Sequence, residues 1–212
     1  MASAVIHLAV AKSLIKYLNI KNEKDYFLGA IAPDIAKQIG EKKNKSHFII
    51  DTPNDVPNID KFINKYPYFE DKDFDLGYFI HLYTDKIWYD EFMRTRENNN
   101  YVRLMDGTII KITPEELSKM IYQDYTNLNV VLLDEYKMDL SLFYEEFVIP
   151  DTDIEEIPKE KLNILIDKMG IIIENSKNNP PYTFDLYDTL QFIDEATQKI
   201  LRFLNEYEKE TI

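Results

Sequence analysis

The sequence has no cysteine among its 212 residues, and it has only three histidines. The absence of cysteine excludes disulfides and thiolate sites for zinc or iron–sulfur clusters, so a transition metal has to be held by His, Asp and Glu. Long apolar runs are also absent: Val130–Leu133 and Gly170–Ile173 are far shorter than the roughly 20 residues that span a bilayer. We therefore expect no membrane insertion.

Basic residues are in the minority, with 25 Lys and Arg against 38 Asp and Glu and a formal net charge of -13. This balance, without a long Lys or Arg run, argues against stable binding of nucleic acid or of an anionic membrane surface. A small phosphate-bearing substrate stays possible, because a bound dication inverts the local field. The N-terminal apolar stretch precedes its lysines and no cleavage site follows, which predicts an amphipathic helix and a cytoplasmic protein.

Apolar spacing predicts an all-α helix bundle that forms one domain over residues 1–212. The hydrophobic share of 45% is enough for a substantial core. Predicted helices cover residues 3–18, 25–31, 57–66, 73–96, 113–136, 140–148, 158–173 and 184–207. Residues 40–58, 150–158 and 175–182 are predicted to be connecting segments. Ser3 is predicted to cap the first helix.

Residues 101–112 predict a small β-hairpin inserted into the bundle. Two β-prone runs flank Asp106-Gly107, a dipeptide suited to the two positive φ angles of a type I′ turn. Thr113, Pro114 and Glu116 then predict a capped helix start. Its sequence leaves open whether the hairpin covers a site or has no functional role.

His81 and Asp85 lie four residues apart in the middle of an apolar helical face. Side chains at this spacing lie on the same side of a helix, where an imidazole and a carboxylate can coordinate a cation together. A simple surface pair is the alternative interpretation, but an unpaired carboxylate on a buried face is costly. The pair is therefore either satisfied by partners inside the bundle or it holds a metal.

The other two histidines and Asp34 also lie near apolar segments. Taken singly, His7 is typical of a satisfied core histidine, Asp34 of a turn residue, and His47 of a loop residue beside an aromatic. Taken together with His81 and Asp85, they favour one shared metal site. A set of three His and two Asp suits Zn²⁺, Fe²⁺, Mn²⁺ or Ni²⁺, and its lack of sulfur suits catalytic zinc.

Four segments follow one another in a fixed order: HLAVA (His7–Ala11), GAIAPD (Gly29–Asp34), SHF (Ser46–Phe48) and GYFIHLYTDKIW (Gly77–Trp88). In this order they resemble the zinc-dependent phospholipase C family, which is related to the fungal single-strand nucleases. The resemblance covers residues 1–92 and implies the all-helical phospholipase C/nuclease fold, with a metal cluster that cleaves phosphodiesters. It also implies that Asp34, His47, His81 and Asp85 ligate one metal. His7 then ligates a neighbouring metal that Asp85 bridges, and Asp34 is also the candidate base.

The sequence departs from that family in two respects. The secreted relatives use the amino group and carbonyl of an N-terminal Trp exposed by processing, whereas this sequence starts at Met1. They also hold a third metal through two later histidines and a glutamate, and here no histidine follows His81. We therefore expect one or two ions. Asp124 is a weaker candidate for a substitute carboxylate, and a solvated helix residue is the interpretation that we favour for it.

The leading functional hypothesis is a metal-dependent hydrolase of a small phosphoester, either a phosphodiester or a phosphomonoester, with Asp34 in a catalytic role. One alternative is a non-catalytic helical protein whose incomplete site binds a metal or a ligand. Another is an HD-type phosphohydrolase, which ranks lower because that class needs adjacent His and Asp, whereas Phe48 follows His47 and Leu82 follows His81. The substrate, the metal and the oligomeric state are open at this point.

Overall fold

The computed structural model describes residues 1–49, 56–98, 100–174 and 179–211. This part of the chain is mostly helical, as predicted, and none of its helices combines the length and the apolarity needed to cross a bilayer. The α-helices are α1 (Ala4–Leu14), α2 (Glu23–Gly29), α3 (Ile35–Gln38), α4 (Ile59–Lys65), α5 (Asp73–Ile87), α6 (Pro114–Glu135), α7 (Asn163–Glu174) and α8 (Leu186–Thr211). The strands are β1 (Glu97–Asn98), β2 (Tyr101–Arg103) and β3 (Ile109–Lys111).

Helix α1 lies at the centre of the bundle and packs against α5, α6 and α8. Residues Val5–Ala11 are all buried, because neighbouring helices surround this segment on every side. A helix that is apolar all round is typical of such a central position. Its one imidazole, His7, is therefore carried into the core rather than to the surface.

Helices α2 and α5 pack closely against each other beside the site. A Cβ atom built on Gly29 would lie 2.1 Å from the Phe74 carbonyl oxygen, and one on Gly77 would lie 2.1 Å from the Tyr26 carbonyl oxygen. Both positions therefore require glycine, since a real Cβ never approaches a backbone atom so closely. The contact places the last turn of α2 directly beside the first turn of α5.

The predicted N-caps of two helices, Ser3 and Thr113, are confirmed in detail. The Ser3 hydroxyl accepts a hydrogen bond from the Ile6 N–H at 3.2 Å, as expected for an N-cap. At the start of α6 the Thr113 and Glu116 side chains each accept a bond from the other's backbone N–H, which makes a capping box. The predicted helix over residues 73–96 is also present, although after Ile87 it continues as a π-turn (Trp88–Phe92) and a 3-10 turn (Met93–Thr95).

The hairpin is present, but its turn differs from the prediction. Strands β1, β2 and β3 pair antiparallel in that order, with Val102 opposite Ile110. Gly107 has a φ of 85°, and Asp106 is not among the residues with positive φ, so the type I′ turn is wrong. The Leu104 N–H donates to the Thr108 carbonyl at 2.8 Å, which closes a three-residue loop with glycine in the left-handed position.

The predicted helix over residues 140–148 is wrong. Only Ser141–Tyr144 form a short 3-10 turn, after which Glu145 is extended. The Asp139 carboxylate accepts the Ser141 N–H at 2.8 Å, so a local side-chain bond takes the place of a helical one. Phe143 is the one residue of the 3-10 turn that is buried, and so short a segment gains too little from packing to nucleate a regular helix.

Candidate metal centre

The five side chains predicted as ligands lie together in the middle of the bundle. His7 comes from α1, Asp34 ends the 3-10 turn Ala32–Asp34, His47 lies in the turn that follows α3, and His81 and Asp85 come from α5. Two groups of them, His47 with His81 and Asp85, and His7 with Asp34 and His81, each offer ligand atoms within 4.8 Å of one another. Four of the side chains are buried, and Asp34 is 15% exposed.

Local structure holds His47 against α5. The Tyr78 hydroxyl donates to the Ser46 carbonyl, and the His47 N–H donates to the Lys43 carbonyl at 2.8 Å, which closes the turn. Phe48 ends the turn with a φ of 53° and packs edge-on against the ring of Phe62. The residues directly before and after His47 are therefore both held in place, which fixes the position of its imidazole.

The hydrogen-bond network determines which nitrogens of His81 and His47 carry the proton. His81 Nδ1 is 2.9 Å from the Ala30 carbonyl, which can only accept, so Nδ1 donates. The Ser46 hydroxyl donates to the Lys43 carbonyl at 3.2 Å, so its oxygen accepts from His47 Nδ1 at 2.9 Å. When the two imidazoles are neutral, each Nε2 therefore carries an unprotonated lone pair.

These two Nε2 atoms face each other at 3.3 Å. Two lone pairs at this distance repel each other unless a cation or a proton lies between them. Zinc binds imidazole nitrogens at about 2.0–2.1 Å with tetrahedral angles, which holds two such nitrogens about 3.3 Å apart. The spacing of His47 and His81 therefore fits a shared metal ion, and their rings are suitably inclined, at 70° to each other.

Two carboxylates lie beside these two nitrogens. Asp34 Oδ1 lies 3.7 Å from His47 Nε2, and Asp85 Oδ2 lies 3.7 Å from His47 Nε2 and 3.9 Å from His81 Nε2. Both oxygens are buried and have no hydrogen-bond partner among the residues that the structure describes. Leaving buried carboxylate oxygens unpaired is costly, and a metal ion removes that cost.

His7 has a different relation to the group. Its ring stacks on that of His81 at 3.7 Å with an interplanar angle of 14°. An imidazole binds a metal in the plane of its ring, so two nearly parallel rings cannot share an ion in this arrangement. His7 Nε2 lies 3.4 Å from Asp85 Oδ1, whereas the other Asp85 oxygen faces His47 and His81. Asp85 thus has the geometry of a carboxylate that bridges two cation positions.

Residues 1 and 2 lie against Asp85. The Ala2 N–H donates to Asp85 Oδ1 at 2.8 Å, and the Met1 amino group donates to the Tyr89 hydroxyl at 2.6 Å. The Tyr125 hydroxyl, from α6, donates to the Met1 carbonyl. These contacts exclude water from one side of the cluster and orient the Asp85 carboxylate.

Burial shifts the pKa values of the cluster, and it keeps the imidazoles uncharged and able to bind a cation. It lowers the pKa of His47 to about 4 and that of His81 well below its ordinary value. It raises the pKa of Asp34 to about 6. Burial alone would raise the pKa of Asp85 too, but the Met1 amino group and His7 hold it below its ordinary value. At neutral pH two uncharged imidazoles therefore face two carboxylates.

Zinc affinity is expected to fall as the pH is lowered through about 6, because Asp34 then binds the proton that zinc has to displace. The raised pKa means that the ligating, ionised form exists above this value and is lost below it. A second fall is expected near pH 4, where His47 is protonated. Each displaced proton lowers the affinity about tenfold per pH unit, which competition with a chromogenic chelator measures. An affinity that stays constant from about pH 7 to about pH 5 would exclude Asp34 as a ligand.

Asp124 has neither of the roles considered for it. It is buried on α6, so a solvated residue is wrong, and it lies outside both groups of ligand atoms. Its carboxylate accepts the N–H groups of Tyr182 and Thr183, each at 2.8 Å, and the Thr183 hydroxyl at 2.7 Å. Asp124 therefore anchors the segment before α8 to α6.

Some groups around the cluster were not predicted. The Ala30 carbonyl and the Ala2 N–H act through the backbone, so no sequence signal identifies them. The Ser46 hydroxyl, which orients His47, could have been suspected from its place directly before a candidate ligand. Asn129 on α6 is also buried, between Tyr125 and Leu132 at helical spacing, and a polar residue on an apolar stripe is a signal that can be found in the sequence.

Comparison with known proteins adds nothing to this geometry: no family model, no curated protein and no solved structure matches the chain.

Proposed function

We propose that this chain is a metal-dependent phosphoester hydrolase with a dinuclear His/Asp centre, built on a helical bundle of the phospholipase C/nuclease type. The observation that carries the proposal is the pair of Nε2 lone pairs of His47 and His81, 3.3 Å apart and flanked by unpartnered oxygens of Asp34 and Asp85. The resemblance of four ordered segments to that enzyme family supports the reaction class. We also propose that the protein is cytoplasmic.

The residues divide into two groups of ligands. Asp34, His47, His81 and Asp85 would hold one ion, and His7 with the other oxygen of Asp85 would contribute to a second. Zinc, or iron, manganese or nickel in its place, would polarise the phosphoryl oxygen and lower the pKa of water. The Ser46 hydroxyl and the Ala30 carbonyl keep the two imidazoles in the tautomer that ligates.

Asp34 is the residue best placed for proton transfer. It is the most exposed of the five and lines a cavity that opens beside the cluster. Its pKa of about 6 keeps it ionised at neutral pH and close to the operating range of a general base. It would accept the proton of the attacking water while the water oxygen bonds to phosphorus, and it would return that proton to the alcohol oxygen as the ester P–O bond breaks.

Elemental analysis of the purified protein, combined with a phosphoesterase assay, tests the proposal. We expect stoichiometric zinc or another divalent transition metal, and metal-dependent hydrolysis of bis(p-nitrophenyl) phosphate or p-nitrophenyl phosphate that chelation abolishes. Full metal occupancy without turnover of either ester would instead support the non-catalytic alternative. Absence of bound metal, even after reconstitution, would overturn the proposal.

A further inference from the structure

A cavity of about 250 Å³ lies beside the cluster and has Asp34 in its lining. Its walls come from α1, α3, α6 and α7, and Val5, Ile31 and Leu165 give it an apolar lining. Of the five candidate ligands of the metal centre, Asp34 is the one that lines this cavity. A molecule in the cavity therefore approaches the cluster on the side of Asp34. A catalytic metal site needs such an open position.

Asn129 contributes a buried polar group to the wall of this cavity. Its side chain is 0% exposed, and neither its amide nitrogen nor its oxygen has a hydrogen-bond partner in the described part of the chain. A buried carboxamide without partners is costly to the fold. The group is thus available as one donor and one acceptor for a molecule inside the cavity.

Two cationic side chains, Lys37 and Lys168, line the same cavity. Lys37 follows Asp34 by one turn of α3, and both line the cavity. Its ammonium group donates to the Tyr122 hydroxyl and lies 4.3 Å from the centre of the Tyr122 ring. Tyr122 and Asn129 are seven residues apart on α6 and therefore lie on one face of that helix. The Lys37 ammonium group and the unpaired Asn129 amide thus belong to one site.

We propose that this cavity is a binding site for a small phosphate ester with a hydroxyl-bearing alcohol part, in which Lys37 contacts the phosphoryl group and Asn129 the alcohol. The assignment rests on the proposed function, because it takes Asp34 and the metal ions as the place where the phosphoryl group is cleaved. It narrows the substrate to compact, water-soluble esters.

Size and chemistry both favour this class of ligand. A cavity of about 250 Å³ is below the usual range for drug-sized ligands, about 300–1,000 Å³, so it does not take a molecule with long acyl chains. An amide that both donates and accepts matches a hydroxyl, which does the same. The chain as a whole repels anions, because its net charge is -13. The Lys37 ammonium group supplies the local attraction that a phosphate needs.

Calorimetric titration of the zinc-loaded protein with two phosphonates that cannot be hydrolysed tests the assignment. Methylphosphonate offers only the anionic group, and the phosphonate analogue of glycerol phosphate adds hydroxyls. We expect the wild-type protein to bind the hydroxyl-bearing compound about tenfold more tightly, as one added hydrogen bond implies. Lys37→Met is expected to weaken both compounds at least tenfold, by about the strength of a charged hydrogen bond.

Asn129→Leu separates a ligand-binding role from a structural one. It is expected to remove the wild-type preference for the hydroxyl-bearing compound and to leave methylphosphonate binding unchanged. Its melting temperature should equal or exceed that of the wild type, because an apolar group replaces an unpaired amide of similar shape. Lys119→Met, which removes the same charge from the outer side of α6, is the control and should change neither affinity.

Each of the following results would overturn the assignment. The wild-type protein binds the two phosphonates equally, or Lys37→Met behaves like Lys119→Met. A lower melting temperature of Asn129→Leu with an unchanged ligand preference would show that the amide is purely structural. The proposed function fails separately: a protein that shows the expected preferences but hydrolyses no phosphoester keeps this binding site and loses the hydrolase activity.

Discussion

Replacing Asp85 by asparagine is expected to strip the purified protein of its metal and of phosphoester hydrolysis. Among the described residues, Asp85 is the one whose two oxygens face different imidazoles, Oδ1 towards His7 and Oδ2 towards His47 and His81. Neutralising it removes a ligand from both cation positions at once. Loss of an outer-shell partner alone lowers metal affinity about 10- to 100-fold, so we expect a loss of more than about a hundredfold here.

The fold should survive this substitution. Asparagine has the shape of aspartate, and its carbonyl oxygen can still accept the Ala2 N–H that now bonds to Asp85 Oδ1. The variant also removes a buried charge, which is costly to retain without a cation. A circular dichroism spectrum like that of the wild type is therefore expected together with a strong loss of zinc by elemental analysis.

Asp124→Asn is the matched control, because Asp124 is an equally buried carboxylate outside the cluster. Its oxygens accept three hydrogen bonds from residues 182 and 183, and an amide donor in their place leaves a buried N–H group unsatisfied. We expect the zinc content of the wild type with a free energy of unfolding lower by about 1–3 kcal/mol. If Asp85→Asn keeps its zinc, or if Asp124→Asn loses it, the assignment of the bridging carboxylate is wrong.

The part of the structure that could be predicted from the sequence is the part governed by local rules. Helix positions follow from apolar periodicity, and the caps at Ser3 and Thr113 follow from side chains that satisfy the first free N–H groups. The same periodicity places His81 and Asp85 on one buried face. A polar residue on such a face needs a partner, which is why a count of three histidines was enough to suggest a common site.

What could not be predicted depends on segments distant in sequence. The sequence around Asp124 shows that it is an acidic residue on helix α6. It does not show that the carboxylate accepts hydrogen bonds from residues about 58 positions later. The stacking of the His7 and His81 rings, from which we propose that they would bind different ions, likewise depends on how α1 crosses α5. Side-chain direction across a helix contact is set by packing and not by spacing along the chain.

The substitutions Gly29→Ala and Gly77→Ala are expected to have the largest effect on stability. Each added Cβ would meet a carbonyl oxygen of the facing helix at 2.1 Å, and a backbone atom cannot rotate away. Helices α2 and α5 then have to separate, which opens the core around them. Overpacking of this kind costs about 1–3 kcal/mol where side chains can adjust, so we expect at least about 3 kcal/mol for each variant, measured by denaturant unfolding.

The separation should also reach the metal centre. Ala30 directly follows Gly29, and its carbonyl accepts a hydrogen bond from His81 Nδ1 at 2.9 Å. This bond lengthens when the two helices move apart. We therefore expect either variant to bind zinc more weakly even where it remains folded. Because the same helix movement relieves both clashes, the double variant should be less destabilised than the sum of the two single variants.

Gly40→Asn is the control, since nothing lies within 4 Å of its Cβ position and asparagine tolerates its positive φ of 77°. Strict additivity, or a loss at Gly40 as large as at Gly29, would show that the close contact of α2 and α5 is not the cause.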